Sequence, residues 1–289
     1  MQLRSMLFVP ADSERKITKG LQCPADALIL DLEDSVAPER KPIARAMAAQ
    51  FLAEQSTTAQ SSLFVRINPL DSGLALLDLA AVVKPGLAGI MLPKTMSAHD
   101  VIRLGYYLDA LEVKADILQG AVKIVPVATE TAQAMLNMQS FTTPIARLAG
   151  ITWGAEDLSA AIGAISNRDE DGQYSPLYVW AGALCLSAAA STGVAAIDTL
   201  HADFKDMAGL VAACRASRRR GYRGRIAIHP DQVAIINEAY SPTQQELAHA
   251  RRIVEAFAQS PGIGTLSLDG VMYDMPHLTQ ARRTLGIAI

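Results

Sequence analysis

The sequence lacks several features that identify large classes of proteins. Its 289 residues carry a formal net charge of only −3, which gives no reason to expect binding to nucleic acid or to an anionic membrane. Its three cysteines, Cys23, Cys185 and Cys214, are odd in number and far apart, so they predict neither a disulfide framework nor a zinc site. No phosphate loop, GxGxxG segment or nucleophile elbow is present. Nucleotide binding and serine-nucleophile catalysis therefore have no sequence signature here.

The sequence also has no segment typical of export or membrane insertion. The first residues have too short an apolar core, and charges too early, for a signal peptide. The stretch 172–197 contains no charged residue, but it is rich in Ala, Ser, Gly and Thr and has Pro176 near its start. These features favour a buried helix that leads into a strand over a lipid-facing helix. Together with the unpaired cysteines, they indicate a cytoplasmic protein.

What the sequence does contain is a regular alternation of apolar runs and helix-like segments. About half of the residues are apolar and 19% are charged, as is ordinary for a globular protein. Eight apolar runs are typical of strands, and they lie at 5–10, 26–34, 62–68, 88–94, 123–130, 147–157, 194–199 and 224–230. Alternation predicts parallel βα units, and eight such units predict a closed barrel. We therefore predict an α/β fold in which residues 1–240 form a TIM-type (βα)8 barrel.

A different pattern begins at Ser241. Residues 243–259 have the periodicity of an amphipathic helix, and residues 262–274 are typical of a hairpin with Asp269 and Gly270 at its turn. A last helix is predicted at 277–285. Residues 241–289 thus form a C-terminal helix–hairpin–helix extension. It either packs on its own barrel or serves a neighbouring subunit as an oligomer arm and active-site lid.

Two neighbouring strands end in carboxylates, and the chain is organised around them. The fifth run ends at Glu130, and the sixth ends at Glu156 and Asp157. In parallel α/β folds the carboxyl ends of the strands meet at the active site, so both strands deliver an acid to the same face. Mg²⁺ is commonly held by one or two carboxylates, with water and substrate oxygens as its other ligands. The alternative is that these acids merely begin helices, where they suit the helix dipole.

Three basic residues stand at other strand ends. Arg66 is placed to clamp a substrate carboxylate or enolate oxygen, or to pair with the acids at 31–34. Lys94 is placed to form a Schiff base with a carbonyl substrate, although an ion pair is the commoner role for such a lysine. A structural role is favoured for His229 over general-base catalysis.

A resemblance to a known family rests on segments that follow one another in order. They are RSMLFVPADSERKITK, DALILDLEDSVAPERK, FVRIN, GIMLPK, TWGAEDLSA, AIDT, AIHPDQVAIINEAYSPT and DGVMYDMPHLTQAR. The ordered set resembles the citrate lyase beta-subunit-like family, which includes the malyl-CoA and citramalyl-CoA lyases. The match extends from Arg4 to about Leu285. It implies a (βα)8 barrel, a trimeric or hexameric assembly, and a Mg²⁺-dependent carbon–carbon lyase or condensing activity on short acyl-CoA thioesters.

The resemblance also implies roles for individual residues. By position, the metal ligands are Glu130 and Asp157, and the substrate-binding arginine is Arg66. Asp274 matches the aspartate that related lyases use as an acid or base. These assignments agree with the residues singled out at the strand ends.

Other positions are carried over less directly. Arg4 and Lys16 are candidates for binding CoA phosphates. The family commonly has an IETP-like segment after strand five, whereas this chain has Thr131 and Ala132 beside Glu130. Met96 stands where many members have an acid. Both departures lie at the pocket rim, where they affect the acyl substrate rather than the metal chemistry.

The predicted function is a Mg²⁺-dependent lyase that cleaves a substrate such as malyl-CoA or citramalyl-CoA into acetyl-CoA and a 2-oxo acid. Three alternatives stay open from the sequence. They are a metal-dependent aldolase on free 2-oxo acids, a citrate lyase beta subunit acting on an acyl-carrier protein, and a non-catalytic barrel that binds CoA esters.

Overall fold

The computed structural model describes residues 1–55 and 60–287. The chain divides into two compact units, Met1–Tyr240 and Ser241–Ile289. The first unit contains every strand end that the sequence singled out for metal chemistry, and the second contains Asp274.

Eight parallel strands form the centre of the first unit. They are β1 (Ser5–Pro10), β2 (Ala27–Asp31), β3 (Ser62–Arg66), β4 (Leu87–Leu92), β5 (Lys123–Pro126), β6 (Gly150–Thr152), β7 (Ala195–Asp198) and β8 (Gly224–Ala227). Their order in the sheet is β5-β4-β3-β2-β1-β8-β7-β6. Backbone hydrogen bonds between the β5 and β6 segments complete the ring, from Ala149 to Ile124 at 2.9 Å and from Ala128 to Thr152 at 2.9 Å. The predicted (βα)8 barrel is therefore confirmed.

Helices follow the strands around the outside of this ring. They are α1 (Glu14–Leu21), α2 (Lys41–Gln55), α3 (Ala75–Val82), α4 (Ala98–Lys114), α5 (Ala132–Asn137), α6 (Ala155–Ile162), α7 (Pro176–Thr192), α8 (Met207–Arg220) and α9 (Asp231–Tyr240). Their ends follow local rules: Ser97 and Asp100 form a capping box at the start of α4, and Gly193 ends α7 with a left-handed φ of 76°. The uncharged stretch 172–197 thus forms a helix followed by a strand, as predicted. Within the described ranges, no helix combines the length and apolar character that crossing a bilayer requires.

Two apolar layers lie on opposite sides of the strands. The larger lies between strands and helices, and the smaller fills the barrel with inward-facing residues such as Met6, Ile29, Phe64 and Val125. Phe64 needs a neighbour without a side chain, because a Cβ at Gly89 would lie 2.3 Å from its ring. The filled interior leaves the ends of the strands as the surface available for chemistry.

The second unit has its own small core. It consists of α10 (Gln244–Ala258), the antiparallel strands β9 (Thr265–Leu268) and β10 (Val271–Asp274), and α11 (Met275–Thr284). Asp269 and Gly270 have φ values of 54° and 78°, as a two-residue hairpin turn requires. The core of this unit includes Ile253, Phe257 and Leu278. The predicted helix, hairpin and helix are all present.

Candidate active site

The exits of β2 and β3 are joined by a buried ion pair. Asp31 and Arg66 are register partners at the last rung of the two strands, which places their side chains side by side. The Arg66 guanidinium donates from Nε and Nη2 to the two Asp31 carboxylate oxygens, each at 2.7 Å. The same guanidinium lies over the ring of Phe8, 4.5 Å from its centroid. Arg66 therefore forms the ion pair that the sequence left open, in a fixed orientation at the end of the barrel that holds the site.

A second buried acid, Glu33, extends this pair towards β4. Its Oε2 lies 3.0 Å from Nη1 of Arg66, and its Oε1 accepts a short hydrogen bond from Nζ of Lys94. Burial raises the pKa of Glu33, although the charges of Arg66 and Lys94 act in the opposite direction. Glu33 thus connects the arginine to the lysine.

Lys94 has the most contacts with acids in this group. It follows β4 with a left-handed φ of 48°, an unusual conformation for a residue other than glycine. Besides Glu33, its Nζ lies 3.3 Å from Asp34 Oδ2 and 3.3 Å from Asp157 Oδ1. Burial lowers its pKa, but the hydrogen bond and charge of Glu33 outweigh burial, and the pKa is raised. A firmly protonated amine is a poor nucleophile, which argues against the Schiff-base role.

Glu130 is a third buried carboxylate of the site. Only 4% of the residue is exposed, and its Oε2 accepts the Lys94 backbone N–H at 2.5 Å. Burial and the neighbouring charge of Asp157 raise the pKa of Glu130 to about 8. Space for the side chain depends on Gly154, because a Cβ there would lie 2.7 Å from Glu130 Cγ and 2.9 Å from its Oε1.

Asp157 completes the group from the first turn of α6. Its side chain is 31% exposed, and it is linked to Glu130 both by charge and through Lys94. The structure therefore brings Glu130, Asp157 and Arg66 together, as the sequence predicted. It also shows the ion pairs considered for Arg66 and Lys94, through Glu33, and adds Gly154, whose part in the site could not be read from the linear pattern.

These residues suit a hard divalent cation. Glu130 and Asp157 provide carboxylate oxygens at the mouth of the barrel, and Gly154 leaves the cradle around Glu130 open. The acids at 31, 33, 34, 130 and 157 outnumber the two cations that contact them, Arg66 and Lys94. Among the described residues, no three or more His, Cys, Asp or Glu side chains are grouped as a metal cage. Mg²⁺ does not need such a cage, because it retains water and substrate ligands.

A cavity of about 510 Å³ lies between β1, α1 and the segment that follows β8. Its wall includes Phe8, the ring under Arg66, and the basic residues Arg15, Lys16 and Lys19 of α1. His229 lines the same cavity and stacks on Phe204 with ring centroids 5.1 Å apart. The predicted phosphate-binding residue Lys16 therefore lies in a basic cavity whose wall includes Phe8, the residue in contact with Arg66.

Arg4 occupies the opposite end of β1. It precedes the first residue of the strand and donates from Nε and Nη2 to Asp26, at 2.9 and 2.8 Å. Because the strand exit is Pro10, the structure does not bring Arg4 to the cavity or to the carboxylate group. Its proposed partners in CoA lie at the other end of the strand.

Asp274 lies in the second unit, where it is the N-cap of α11. Its Oδ1 is 2.5 Å from Nδ1 of His277, and its backbone N–H lies 3.3 Å from the same ring nitrogen. Asp274 and His277 thus form a capping box at the start of this helix. A capping carboxylate is still able to take a proton, so this geometry leaves its catalytic role as a prediction.

One supporting network was not identified from the sequence. The Trp153 indole donates to Asp198 Oδ1 at 2.8 Å, and Asp198 also pairs closely with Arg225. Trp153 directly precedes Gly154, so this buried network holds the segment that leads to Asp157. Asp198 stands at the end of β7, but its two partners come from β8 and from the segment after β6, and only the folded chain reveals them.

The comparisons with known proteins agree with this geometry. The family model described as HpcH/HpaI aldolase/citrate lyase matches residues 4–230, and that of a C-C bond lyase of the TIM-barrel fold matches residues 182–288. The chain is 34% identical over 287 residues to citrate lyase subunit beta of Escherichia coli (strain K12), covering 99% of this chain and 93% of that protein. It is 31% identical over 299 residues to mitochondrial citramalyl-CoA lyase of Rattus norvegicus, covering 99% and 86% respectively.

A solved structure is similar over nearly the whole chain. It is CitE from Mycobacterium tuberculosis in complex with magnesium, acetoacetate and coenzyme A. The two chains are 31% identical with a TM-score of 0.76, and the match covers 98% of this chain and 97% of the other.

Proposed function

The chain belongs to the HpcH/HpaI aldolase/citrate lyase family of carbon–carbon lyases, and we propose that it is a Mg²⁺-dependent lyase acting on a short hydroxyacyl-CoA thioester. Malyl-CoA and citramalyl-CoA are the substrates that we favour. Cleavage of either releases acetyl-CoA and a 2-oxo acid. The alternatives are an aldolase on free 2-oxo acids, an acyl-carrier-protein lyase subunit, and a CoA-ester-binding barrel without turnover.

One observation carries this proposal. Glu130 and Asp157 converge at the mouth of the barrel, and Lys94 contacts both of them. Carboxylate oxygens at this position suit Mg²⁺, which when bound supplies a Lewis acid and a template for the oxygens of the substrate. The relatives named citramalyl-CoA lyase and the CitE complex with magnesium and coenzyme A support the assignment of metal and substrate class.

Arg66 is assigned to stabilise negative charge. Asp31 fixes the guanidinium by two hydrogen bonds, which leaves other N–H groups available for a substrate oxygen. Cleavage of the carbon–carbon bond leaves a thioester enolate, and donors already held in place stabilise such an oxyanion without reorganisation. Asp274 is assigned to remove the proton of the substrate hydroxyl group as that bond breaks.

The CoA arm is assigned to the basic cavity. Lys16, together with Arg15 and Lys19, provides positive charge for phosphate groups, and Phe8 connects the cavity to Arg66. Arg4 is not included, because Asp26 holds it at the far end of β1.

We propose a composite site in a homo-oligomer. Glu130, Asp157 and Arg66 come from one subunit, and Asp274 comes from the C-terminal unit of another. A trimer or hexamer with cyclic symmetry provides equivalent sites of this kind.

The first test is a screen of hydroxyacyl-CoA thioesters with Mg²⁺, in which 2-oxo acid, acetyl-CoA and free CoA thiol are measured separately. We expect equal release of 2-oxo acid and acetyl-CoA. Turnover of the free acids would identify an aldolase, turnover only of the carrier-protein thioester would identify a lyase subunit, and tight binding without products would identify a binding barrel.

Variants of Glu130 and Asp157 test whether turnover depends on the metal. Glu130→Gln and Asp157→Asn should each abolish turnover and weaken Mg²⁺ binding measured by calorimetry, while the far-UV circular dichroism stays unchanged. Glu156→Gln is the matched control, because it removes the same charge from the same turn of α6 at an exposed residue bonded to Asn167. Full activity in excess EDTA would end the metal assignment.

A further inference from the structure

The start of α11 contains a close carboxylate–imidazole pair. Nδ1 of His277 lies 2.5 Å from Oδ1 of Asp274. The two side chains are 49% and 33% exposed respectively, so a substrate or a second subunit is able to reach them. The pair is thus neither fully buried nor fully exposed to solvent.

Helix capping accounts for only part of this geometry. In a capping box, the residue at the third helical position accepts the backbone N–H of the N-cap, a role usually filled by Glu or Gln. Here His277 occupies that position, and its Nδ1 lies 3.3 Å from the Asp274 N–H. Nδ1 accepts this hydrogen bond when it carries no proton, and it donates to Oδ1 when it does. The ring therefore has a partner at Nδ1 in both protonation states.

The neighbouring side chains hold the ring in place. Tyr273 packs edge-on against His277 with centroids 5.3 Å apart. The Tyr273 hydroxyl lies 3.3 Å from Nε2 of His249 on α10. Asp274 is the carboxylate that contacts the imidazole, and nearby Arg252 of α10 is paired with Asp269.

We propose that His277 is a positioning residue, whose Nδ1–H donates to Oδ1 of Asp274 and so orients the carboxylate that removes the proton from the substrate. This inference rests on the proposed function of Asp274. In the cleavage direction the substrate O–H bond breaks and an O–H bond forms on the Asp274 carboxylate, while the Nδ1 proton of His277 stays on the ring. The carboxylic acid then gives the same proton to the enolate carbon and is again anionic. The proton balance closes without a co-reactant.

The decisive variant is His277→Gln, because glutamine at this position preserves the capping box. We expect its thermal unfolding midpoint and its Mg²⁺ affinity to match the parent protein. Its kcat should fall by a factor on the order of 10². Its profile of kcat against pH should differ from that of the parent, because glutamine carries no ionisable group.

Two further variants complete the design. His277→Ala should be slower still, and free imidazole should restore part of its activity, whereas Asp274→Asn should be inactive with or without imidazole. Glu246→Gln is the matched control, because Glu246 occupies the same position in the capping box of α10. It should retain the activity and pH profile of the parent.

The outcomes separate the two proposals. If His277→Gln retains full activity and the parent pH profile while Asp274→Asn is inactive, His277 is only a cap and the role of Asp274 stands. If Asp274→Asn itself is fully active, the proposed role of Asp274 fails and this inference fails with it.

Discussion

At the scale of single residues, the site depends on Gly154, which has no side chain. Gly154 has a φ of −119°, which any residue adopts, so the glycine is not needed for the backbone conformation. It is needed for space, because the cradle of Glu130 occupies the volume that a Cβ would fill. A methyl group there therefore acts on the Glu130 carboxylate rather than on the turn.

Gly154→Ala should consequently impair the metal site. The new methyl group must displace the Glu130 carboxylate, and overpacking of this kind costs about 1–3 kcal/mol. We expect the Mg²⁺ dissociation constant, measured by calorimetry without substrate, to rise by a factor on the order of 10. Gly105→Ala is the control: it lies within α4, its Cβ would meet only Arg147 at 3.8 Å, and it should stabilise the protein by about 0.5–1 kcal/mol. Unchanged Mg²⁺ affinity in Gly154→Ala would contradict the geometry of the cradle.

The sequence was sufficient for some of these residues and insufficient for others. Glu130, Asp157 and Arg66 were predicted because each stands at the end of an apolar run, and parallel strands bring such ends together. Gly154 could not be predicted, since its role is a distance between two strands. Lys94 was expected to form an ion pair, but its left-handed φ and the identity of its partners Glu33 and Asp157 arise only in the folded chain.

At the scale of elements, β2 and β3 are fastened at their exits by Asp31 and Arg66. Burial alone would raise the pKa of Asp31, but the hydrogen bonds and charge of Arg66 outweigh burial, so the pKa lies below its usual value. An acid whose pKa is lower in the folded than in the unfolded chain binds fewer protons when folded. Its contribution to stability is complete above the unfolded pKa of about 3.9 and is lost as the pH falls through the folded value.

The free energy of unfolding should therefore decrease as the pH is lowered below about 4. We expect the decrease to be smaller in Asp31→Asn, which is less stable at pH 7 but has lost this titrating group. Urea unfolding at closely spaced pH values measures both effects. Asp171→Asn, at an exposed position, should keep the slope of the parent protein. Identical slopes for Asp31→Asn and the parent would show that Asp31 does not link pH to stability.

The bounds of the strands show a second limit of sequence patterns. The fifth run was predicted as a strand over 123–130, whereas β5 ends at Pro126 and the chain beyond it is tied to its neighbours by single hydrogen bonds. The sixth run was predicted over 147–157, whereas β6 spans Gly150–Thr152 and α6 begins at Ala155. In both cases the apolar residues continue beyond the hydrogen-bonded strand, because the segments that carry the site residues are also buried.

At the scale of the whole molecule, the barrel followed from alternation alone. Eight βα units are compatible with few topologies. Right-handed parallel connections place each strand beside the one that precedes it in the chain, and the eighth beside the first. The change of pattern at Ser241 also coincides with the start of the second compact unit. A linear pattern does not say whether Asp274 acts on the barrel of its own chain or on that of a neighbouring subunit, so the proposed composite site needs an experiment on assembled protein.

Mixed oligomers provide that experiment. Glu130→Gln and Asp274→Ala should each be nearly inactive as homo-oligomers. If Asp274 acts on a neighbouring barrel, equal co-expression should restore about one quarter of the sites, because half of the barrels are intact and half of these receive an intact Asp274. Differently tagged subunits, purified through both tags, establish that mixing has occurred. Co-expression of Glu130→Gln with Asp157→Asn is the matched control, because both lesions lie in the barrel, and it should restore nothing.

The absence of recovery in verified mixed oligomers would place Asp274 in the site of its own chain. Full activity of the Asp274→Ala homo-oligomer would instead reduce Asp274 to a helix cap. The catalytic base would then lie among Asp31, Glu33 and Asp34. Of these, Asp31 is engaged on both oxygens by Arg66 and Glu33 is buried between two cations, whereas the Asp34 side chain is 55% exposed. Asp34→Asn would then be the variant that loses turnover, because only an accessible carboxylate is able to reach the proton of a substrate hydroxyl group.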